Sequence, residues 1–141
     1  MKRLSCVVSF LLLALAGSTH IALAQNTGKM TTIDGGAGGC SLEVTVLGTD
    51  GKPAYAATVK VHISYGFAGT RRLDLEAGTN NDGKVKFTGL PSRVHRPPLE
   101  FIATKDQMQA MLTYDPSAEC EAKHEMTLHP KPTETQPSES P

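Results

Sequence analysis

Apolar and polar residues alternate through most of the chain between residues 40 and 129. In "CSLEVTV", for example, Leu42, Val44 and Val46 are apolar and the residues between them are polar. Successive side chains of a β-strand point to opposite faces, so this pattern predicts a strand with one buried and one solvated face. The same alternation predicts six more strands, which lie in residues 55–65, 71–76, around Val85 and Phe87, 99–105, 107–114 and 118–129. In the first of these, Tyr55 falls on the apolar face.

Seven short strands, each with one solvated face, predict two antiparallel sheets packed face to face. No segment after residue 24 shows a convincing helical period of 3.6 residues. We therefore expect an all-β fold, a seven-stranded antiparallel sandwich of the immunoglobulin-like or transthyretin-like kind with one disulfide. The chain has no tryptophan, which excludes the Cys…Trp…Cys arrangement of antibody domains.

The first 24 residues have the features of a secretory signal peptide. Lys2 and Arg3 precede the apolar run "LSCVVSFLLLALA", and small residues end the segment at Ala24. The run is too short to span a bilayer and no second apolar segment follows, so we expect no membrane span. The sequence thus predicts a secreted or periplasmic protein.

Composition divides the remaining chain into three parts. Residues 25–39 are rich in glycine and poor in apolar groups, which predicts a flexible linker. Residues 40–129 carry the alternating pattern and form the predicted β-sandwich domain. Residues 130–141 are rich in proline and predict a disordered tail.

The charge of the mature chain is close to neutral. Of the 14 Lys+Arg, cleavage after Ala24 removes Lys2 and Arg3, which leaves 12 against 14 Asp+Glu. A balance near −2 predicts no overall electrostatic attraction to nucleic acid or to an anionic membrane. We expect a monomer whose partner is an envelope or extracellular protein or glycan.

Two cysteines remain after cleavage, Cys40 and Cys120, one at each end of the patterned region. Because an exported chain meets an oxidising compartment, an even count favours a disulfide, and both residues fall on apolar positions, which predicts a buried bridge. The alternative is a copper site. In "CEAKHEM" the residues Cys120, His124 and Met126 loosely resemble the ligands of blue-copper proteins, although their spacing differs.

Two stretches resemble carboxypeptidase regulatory-like domains, which are transthyretin-like or prealbumin-like sandwiches. They are "TNNDGKVKFTGLP" (79–91) and "VTVLGTDGKPAYAATVKV" (44–61), and the resemblance extends over about residues 42–105. It implies a module without catalytic activity that serves in folding, spacing or docking. The chain departs from the family where "SRVHRPP" (92–98) is inserted, which predicts a protruding basic loop.

The sequence shows no pattern typical of an active site. There is no G-x-S-x-G motif, and the histidines at 62, 95, 124 and 129 lack the close pairs typical of zinc sites. We therefore expect no enzyme and no cofactor. The one surface feature that suggests binding is basic, and its residues are Arg71 and Arg72 in one loop and Arg93, His95 and Arg96 in another. If the two loops meet, they form a cationic patch for an acidic partner.

These observations predict an exported, non-catalytic module for binding, docking or structural support in the cell envelope. Two alternatives stay open. One is a periplasmic copper-binding protein that uses Cys120, His124 and Met126. The other is a small secreted hydrolase or inhibitor, which is suggested only by the basic loop at residues 92–98.

Overall fold

The computed structural model describes residues 28–132. The predicted signal peptide, at residues 1–24, and residues 133–141 of the predicted tail lie outside this range. Within it the chain forms nine β-strands and a short 3-10 turn at Phe67–Gly69. The strands are β1 (Thr31–Asp34), β2 (Cys40–Leu47), β3 (Thr58–Tyr65), β4 (Arg71–Gly78), β5 (Lys84–Leu90), β6 (Leu99–Lys105), β7 (Met108–Tyr114), β8 (Glu121–Thr127) and β9 (His129–Pro130).

The strands form two sheets. One has four strands in the order β1-β5-β2-β8, and the other has five in the order β4-β3-β6-β7-β9. The prediction of an all-β fold is confirmed. The prediction of seven antiparallel strands is wrong, because the described residues hold nine strands, and β1 pairs with β5 and β2 with β8 in parallel. An alternating pattern identifies a strand but not its partner or its direction.

Strand β1 lies inside the segment that we expected to be a flexible linker. Its backbone pairs with β5, and beyond the strand the Gly35 amide donates to the Thr88 carbonyl at 2.9 Å. Only Ile33 of this strand packs against the core. Backbone pairing along the edge of β5, rather than burial of side chains, orders this segment, which explains why composition did not predict it. Pro130, the first residue of the predicted tail, likewise pairs with β7.

One hydrophobic core takes side chains from both sheets. Phe87 of β5 and Phe101 of β6 are fully buried and meet edge to face, with ring centroids 5.1 Å apart. The predicted burial of Tyr55 is wrong, since 58 % of it is exposed. Ala56 has a left-handed backbone (φ 55°), which interrupts the alternation before β3 begins at Thr58.

The turn before β5 is held by side-chain hydrogen bonds to the backbone. The buried Thr79 hydroxyl donates to the Ala54 carbonyl at 2.6 Å and accepts from the Ala57 amide at 2.9 Å. Asn80 Oδ1 accepts from the Lys84 amide at 2.9 Å, which closes the turn. The first residues of "TNNDGKVKFTGLP" therefore satisfy buried backbone groups and fix the path of the chain.

The predicted disulfide is confirmed. It joins Cys40 to Cys120 with the Cα atoms 4.6 Å apart, and it ties the start of β2 to the residue before β8. Cys40 is fully buried, as expected, but Cys120 is exposed. The expectation of a wholly buried bridge is wrong because Cys120 belongs to the turn that precedes β8 and not to the strand.

Tyr114, at the end of β7, connects the five-stranded sheet to this disulfide. Its hydroxyl donates to the Cys120 carbonyl at 3.0 Å, and the Ser41 carbonyl lies at 3.4 Å. Burial raises the pKa of Tyr114 from 10.0 to about 12, and the carboxylates of Glu119 and Asp115 add to the effect. The neutral phenol is therefore the form that the folded protein stabilises.

Replacement of Tyr114 tests this link. Because the pKa of Tyr114 is raised in the folded state, its contribution to the free energy of unfolding is complete below about pH 10. This contribution is lost as the pH rises from 10 towards 12, because the tyrosine of the unfolded chain ionises at a lower pH than that of the folded chain. An absorbance titration of the folded protein should show a late tyrosine ionisation that disappears in Tyr114→Phe. The exposed Tyr55, changed to Phe, should leave the late ionisation in place. Persistence of the late phase in Tyr114→Phe would assign it to another residue and refute the link.

Candidate functional site

The two basic segments singled out in the sequence meet at one end of the five-stranded sheet. The tip segment, residues 66–72, joins β3 to β4 and includes the first two residues of β4. The prediction that Arg71 and Arg72 lie in a loop is wrong, because both pair with β3. The 92–98 loop joins β5 to β6. Tyr65 pairs with Arg71 on one side and with Val94 on the other, and the His95 amide donates to the Ser64 carbonyl at 2.7 Å. We call the tip segment and the 92–98 loop together the cationic end.

The 92–98 loop lies beside the tip segment because β6 pairs with only half of β3. The two strands pair from Thr58 to Val61, and beyond that point the loop lies beside β3 in place of β6. Val94 packs against the core and anchors the loop. The inserted loop is therefore held at Val94 and His95 against the side of β3 that does not pair with β4, while Arg93 and Arg96 stay exposed.

His95 and the tip segment are in direct contact. A β-carbon added to Gly69 would lie 2.6 Å from Cγ of His95, so the imidazole packs onto the glycine backbone. Gly69 also has a positive φ of 68°, which favours glycine. The close approach of these two residues fixes the spacing of the basic segments.

A groove of about 1070 Å³ extends from the cationic end over the outer face of the five-stranded sheet. The basic segments contribute Arg72, His95 and Arg96 to its lining, and the sheet contributes His62 and Asp74. This volume is slightly above the usual range for small-molecule sites, about 300–1,000 Å³. Side chains of β3, β4 and β6 all line the groove.

Two charged pairs join β3 to β4 in this region, whereas Glu100 of β6, which also lines the groove, and the arginines of the cationic end form no ion pair within residues 28–132. Lys60 Nζ lies 3.1 Å from Glu76 Oε2, and His62 Nδ1 is hydrogen-bonded to Asp74 Oδ1. Within residues 28–132 no carboxylate forms an ion pair with the guanidinium groups of Arg71, Arg72, Arg93 or Arg96. An unpaired guanidinium is suited to a carboxylate or a phosphate, which it can bind through two parallel hydrogen bonds.

The His62–Asp74 pair orients one imidazole of the groove. Because the carboxylate accepts from Nδ1–H, Nε2 is the nitrogen left to accept a hydrogen bond or a proton from a ligand. Ser64 follows two residues later on β3 and also lines the groove. In the part of the chain that the structure describes, no hydrogen bond joins the Ser64 hydroxyl to His62, so the contact of a nucleophile with its base is not formed.

The copper alternative is wrong, because the sulfur of Cys120 is bonded to Cys40. Of the other two residues, Met126 is buried, and His124 Nε2 lies 3.3 Å from Glu119 Oε2. Between residues 28 and 132 no three or more His, Cys, Asp or Glu side chains are grouped so that they could hold a metal ion. The same residues include no helix with the length and apolar character needed to cross a bilayer.

Sequence reasoning missed two parts of this end of the molecule. It named His62 only as one of the histidines without a close pair, because the pairing with Asp74 depends on the register of β3 and β4. It also overlooked Phe67, which is 92 % exposed at the turn between these strands. The signal available was a single aromatic residue in "GFAGT", outside either alternating stretch.

No family model matches the chain, and no curated protein sequence matches it significantly. Several solved structures are similar to it at low identity. A 3-chlorocatechol 1,2-dioxygenase from Rhodococcus opacus 1CP is 13 % identical over 71 % of this chain and 64 % of its own, with a TM-score of 0.46. A catechol 1,2-dioxygenase from Pseudomonas arvilla C-1 is 13 % identical over 79 % and 61 %, with a TM-score of 0.48.

A hydroxyquinol 1,2-dioxygenase from Pseudomonas putida DLL-E4 gives 14 % identity over 74 % of this chain and 63 % of its own, with a TM-score of 0.42. This chain thus spans less than two thirds of each of these proteins. At this level of similarity no reaction, substrate or metal is transferred from them to this chain.

The comparisons contradict the prediction that the chain is not an enzyme, since the solved structures to which it is similar are enzymes. We made that prediction because every patterned segment is needed to build strands. The inference was wrong in principle, because a fold does not determine whether its loops and outer faces carry chemistry.

Proposed function

We propose that this protein is an exported binding module whose cationic end docks an anionic partner in the cell envelope or outside the cell. One observation carries the proposal. The tip segment and the 92–98 loop meet beside β3, and their four arginines have no carboxylate partner within residues 28–132. Arginines gathered in this way, without partners of their own, favour a ligand that supplies carboxylates or phosphates.

We propose that the two sheets are the layers of an immunoglobulin-like or transthyretin-like sandwich related to carboxypeptidase regulatory-like domains. A core that draws on both sheets supports this arrangement, and so do the turn residues of "TNNDGKVKFTGLP". Export is supported by the pattern of residues 1–24 and by a disulfide, which persists in oxidising compartments.

The position of the arginines explains how a nearly neutral chain could attract an acidic partner. Arg93 and Arg96 are exposed and lie on a loop that is anchored by Val94 and His95. A local group of like charges raises the rate at which an oppositely charged partner arrives, whatever the total charge. The anchored loop also holds the arginines in place before the partner binds, which reduces the entropy lost on binding.

Binding of poly-L-glutamate, a simple polyanion, tests the proposal. In Arg93→Ala/Arg96→Ala we expect the affinity measured by isothermal titration calorimetry to fall about tenfold, because two exposed ion pairs of up to about 1 kcal/mol each are lost. Thermal melting should be unchanged, since neither side chain is buried.

The matched control is Lys52→Ala/Lys131→Ala. It removes the same amount of charge from exposed positions outside the cationic end and should leave the affinity within twofold of the wild type. Equal losses of affinity in the two double variants would mean that only total charge matters, and would refute the cationic end as the docking surface.

A further inference from the structure

Phe67 at the tip segment is far more exposed than folding alone would favour. It is 92 % exposed, compared with 58 % for Tyr55 and 56 % for Met111, the other large hydrophobic side chains exposed between residues 28 and 132. A phenyl ring left in water gives up the free energy that its burial would provide. The ring is therefore free to contact a surface outside the folded chain.

The backbone of the tip segment that carries Phe67 has a defined conformation. Gly66, Ala68 and Gly69 all have positive φ angles, of 78°, 51° and 68°. The Thr70 hydroxyl donates to the Phe67 carbonyl at 2.9 Å, and the Gly69 amide donates to the Gly66 carbonyl at 3.2 Å. Alanine rarely adopts a left-handed conformation, and such residues are concentrated at functional sites.

The surroundings of Phe67 are basic. The tip segment and the 92–98 loop together contain four arginines and one histidine, and neither contains an acidic residue. We expected no attraction to an anionic membrane because the total charge is near neutral. The total charge does not show this local excess of basic side chains. Three of the basic side chains, Arg72, His95 and Arg96, also line the groove beside the tip.

We propose that the cationic end binds the surface of an anionic lipid bilayer, with Phe67 inserted at the interface and the arginines on lipid phosphates. The proposal rests on the function proposed above and names its partner. A membrane interface accommodates a single projecting aromatic side chain, and basic side chains near it are attracted to anionic lipid. A protein interface usually has a core of several apolar side chains, whereas Phe67 is the one exposed large hydrophobic residue of the tip segment.

Tryptophan fluorescence tests insertion directly, because the chain has no tryptophan of its own. Phe67→Trp places the only indole at the tip, and Tyr55→Trp places it at an exposed position outside the cationic end. Both are titrated with vesicles of 3:1 phosphatidylcholine and phosphatidylglycerol, and with vesicles of phosphatidylcholine alone. We expect a blue shift only for Phe67→Trp and only with the anionic vesicles.

Co-sedimentation with the same anionic vesicles measures the affinity. Arg93→Ala/Arg96→Ala should lower the partition coefficient about 30-fold relative to the wild type, because each basic residue near an anionic surface contributes about 1 kcal/mol. Phe67→Ala should lower it about fivefold or more, and Lys52→Ala/Lys131→Ala should lower it less than twofold. The four chains are compared at equal ionic strength, since the attraction is screened by salt.

The outcomes separate the two proposals. Binding of poly-L-glutamate without binding to anionic vesicles would overturn the lipid proposal, keep the docking function and point to an acidic protein. Vesicle binding with no blue shift in Phe67→Trp, or with equal shifts in Tyr55→Trp, would overturn insertion of the tip. If neither poly-L-glutamate nor anionic vesicles bind, both proposals fail.

Discussion

Replacing both cysteines, in Cys40→Ala/Cys120→Ala, should lower the free energy of unfolding by about 4–5 kcal/mol. The disulfide closes a loop with a sequence separation of 80 residues, and the chain-entropy model assigns about 4.5 kcal/mol to a loop of that length. Domains of this size are commonly stable by only about 5–15 kcal/mol, so the loss is a large share of the total. Urea denaturation followed by circular dichroism measures it.

Dithiothreitol supplies the control for this prediction. Because Cys120 is exposed, the reductant should reach the bridge and lower the stability of the wild type to that of the double variant. The double variant itself should not respond. A loss of less than 1 kcal/mol in the variant, or an equal effect of dithiothreitol on both proteins, would show that the bridge contributes little to stability.

Gly83→Ala should lower the free energy of unfolding by at least about 3 kcal/mol. Gly83 has a φ of 70°, which costs an L-residue about 1–2 kcal/mol. An added β-carbon would also lie 2.5 Å from the Val46 carbonyl oxygen and 3.1 Å from the Ala54 amide nitrogen. Both atoms belong to backbone that cannot move without disturbing the bonds from the Val46 and Ala54 amides, so the overlap adds to the conformational cost.

Gly51→Ala separates the two contributions. Gly51 has a similar φ of 77°, but a β-carbon there would meet nothing within 4 Å. This variant should lose only the conformational part, about 1–2 kcal/mol. Equal losses in Gly51→Ala and Gly83→Ala, measured by urea denaturation, would show that the close approach at Gly83 does not contribute.

The alternating segments were predictable because each strand has one face in the core. Phe87 and Phe101 are buried as their positions in the pattern indicated. Strand β1 was not predictable in this way, since its order comes from backbone pairing with β5 and only Ile33 reaches the core. Cys120 shows the same limit, because a residue in a turn keeps the parity of the strand that follows without sharing its burial.

The candidate site was predictable in composition but not in position. Arg93 and Arg96 stand out in the sequence as a basic loop. Whether this loop meets the tip segment depends on where the pairing between β3 and β6 ends. That length depends on pairing between strands that are distant in sequence, which a local pattern does not contain. The pairing of His62 with Asp74 depends in the same way on the register between two strands.

Mapping the amides that respond to poly-L-glutamate tests the central claim most directly, because the claim is that the tip segment and the 92–98 loop form one docking surface. In a two-dimensional ¹H–¹⁵N titration of the labelled protein, the account predicts that the largest shifts fall in residues 64–72 and 93–96, and that both segments follow one binding curve. Shifts confined to one segment, or largest around residues 48–54 and 79–83, would contradict it.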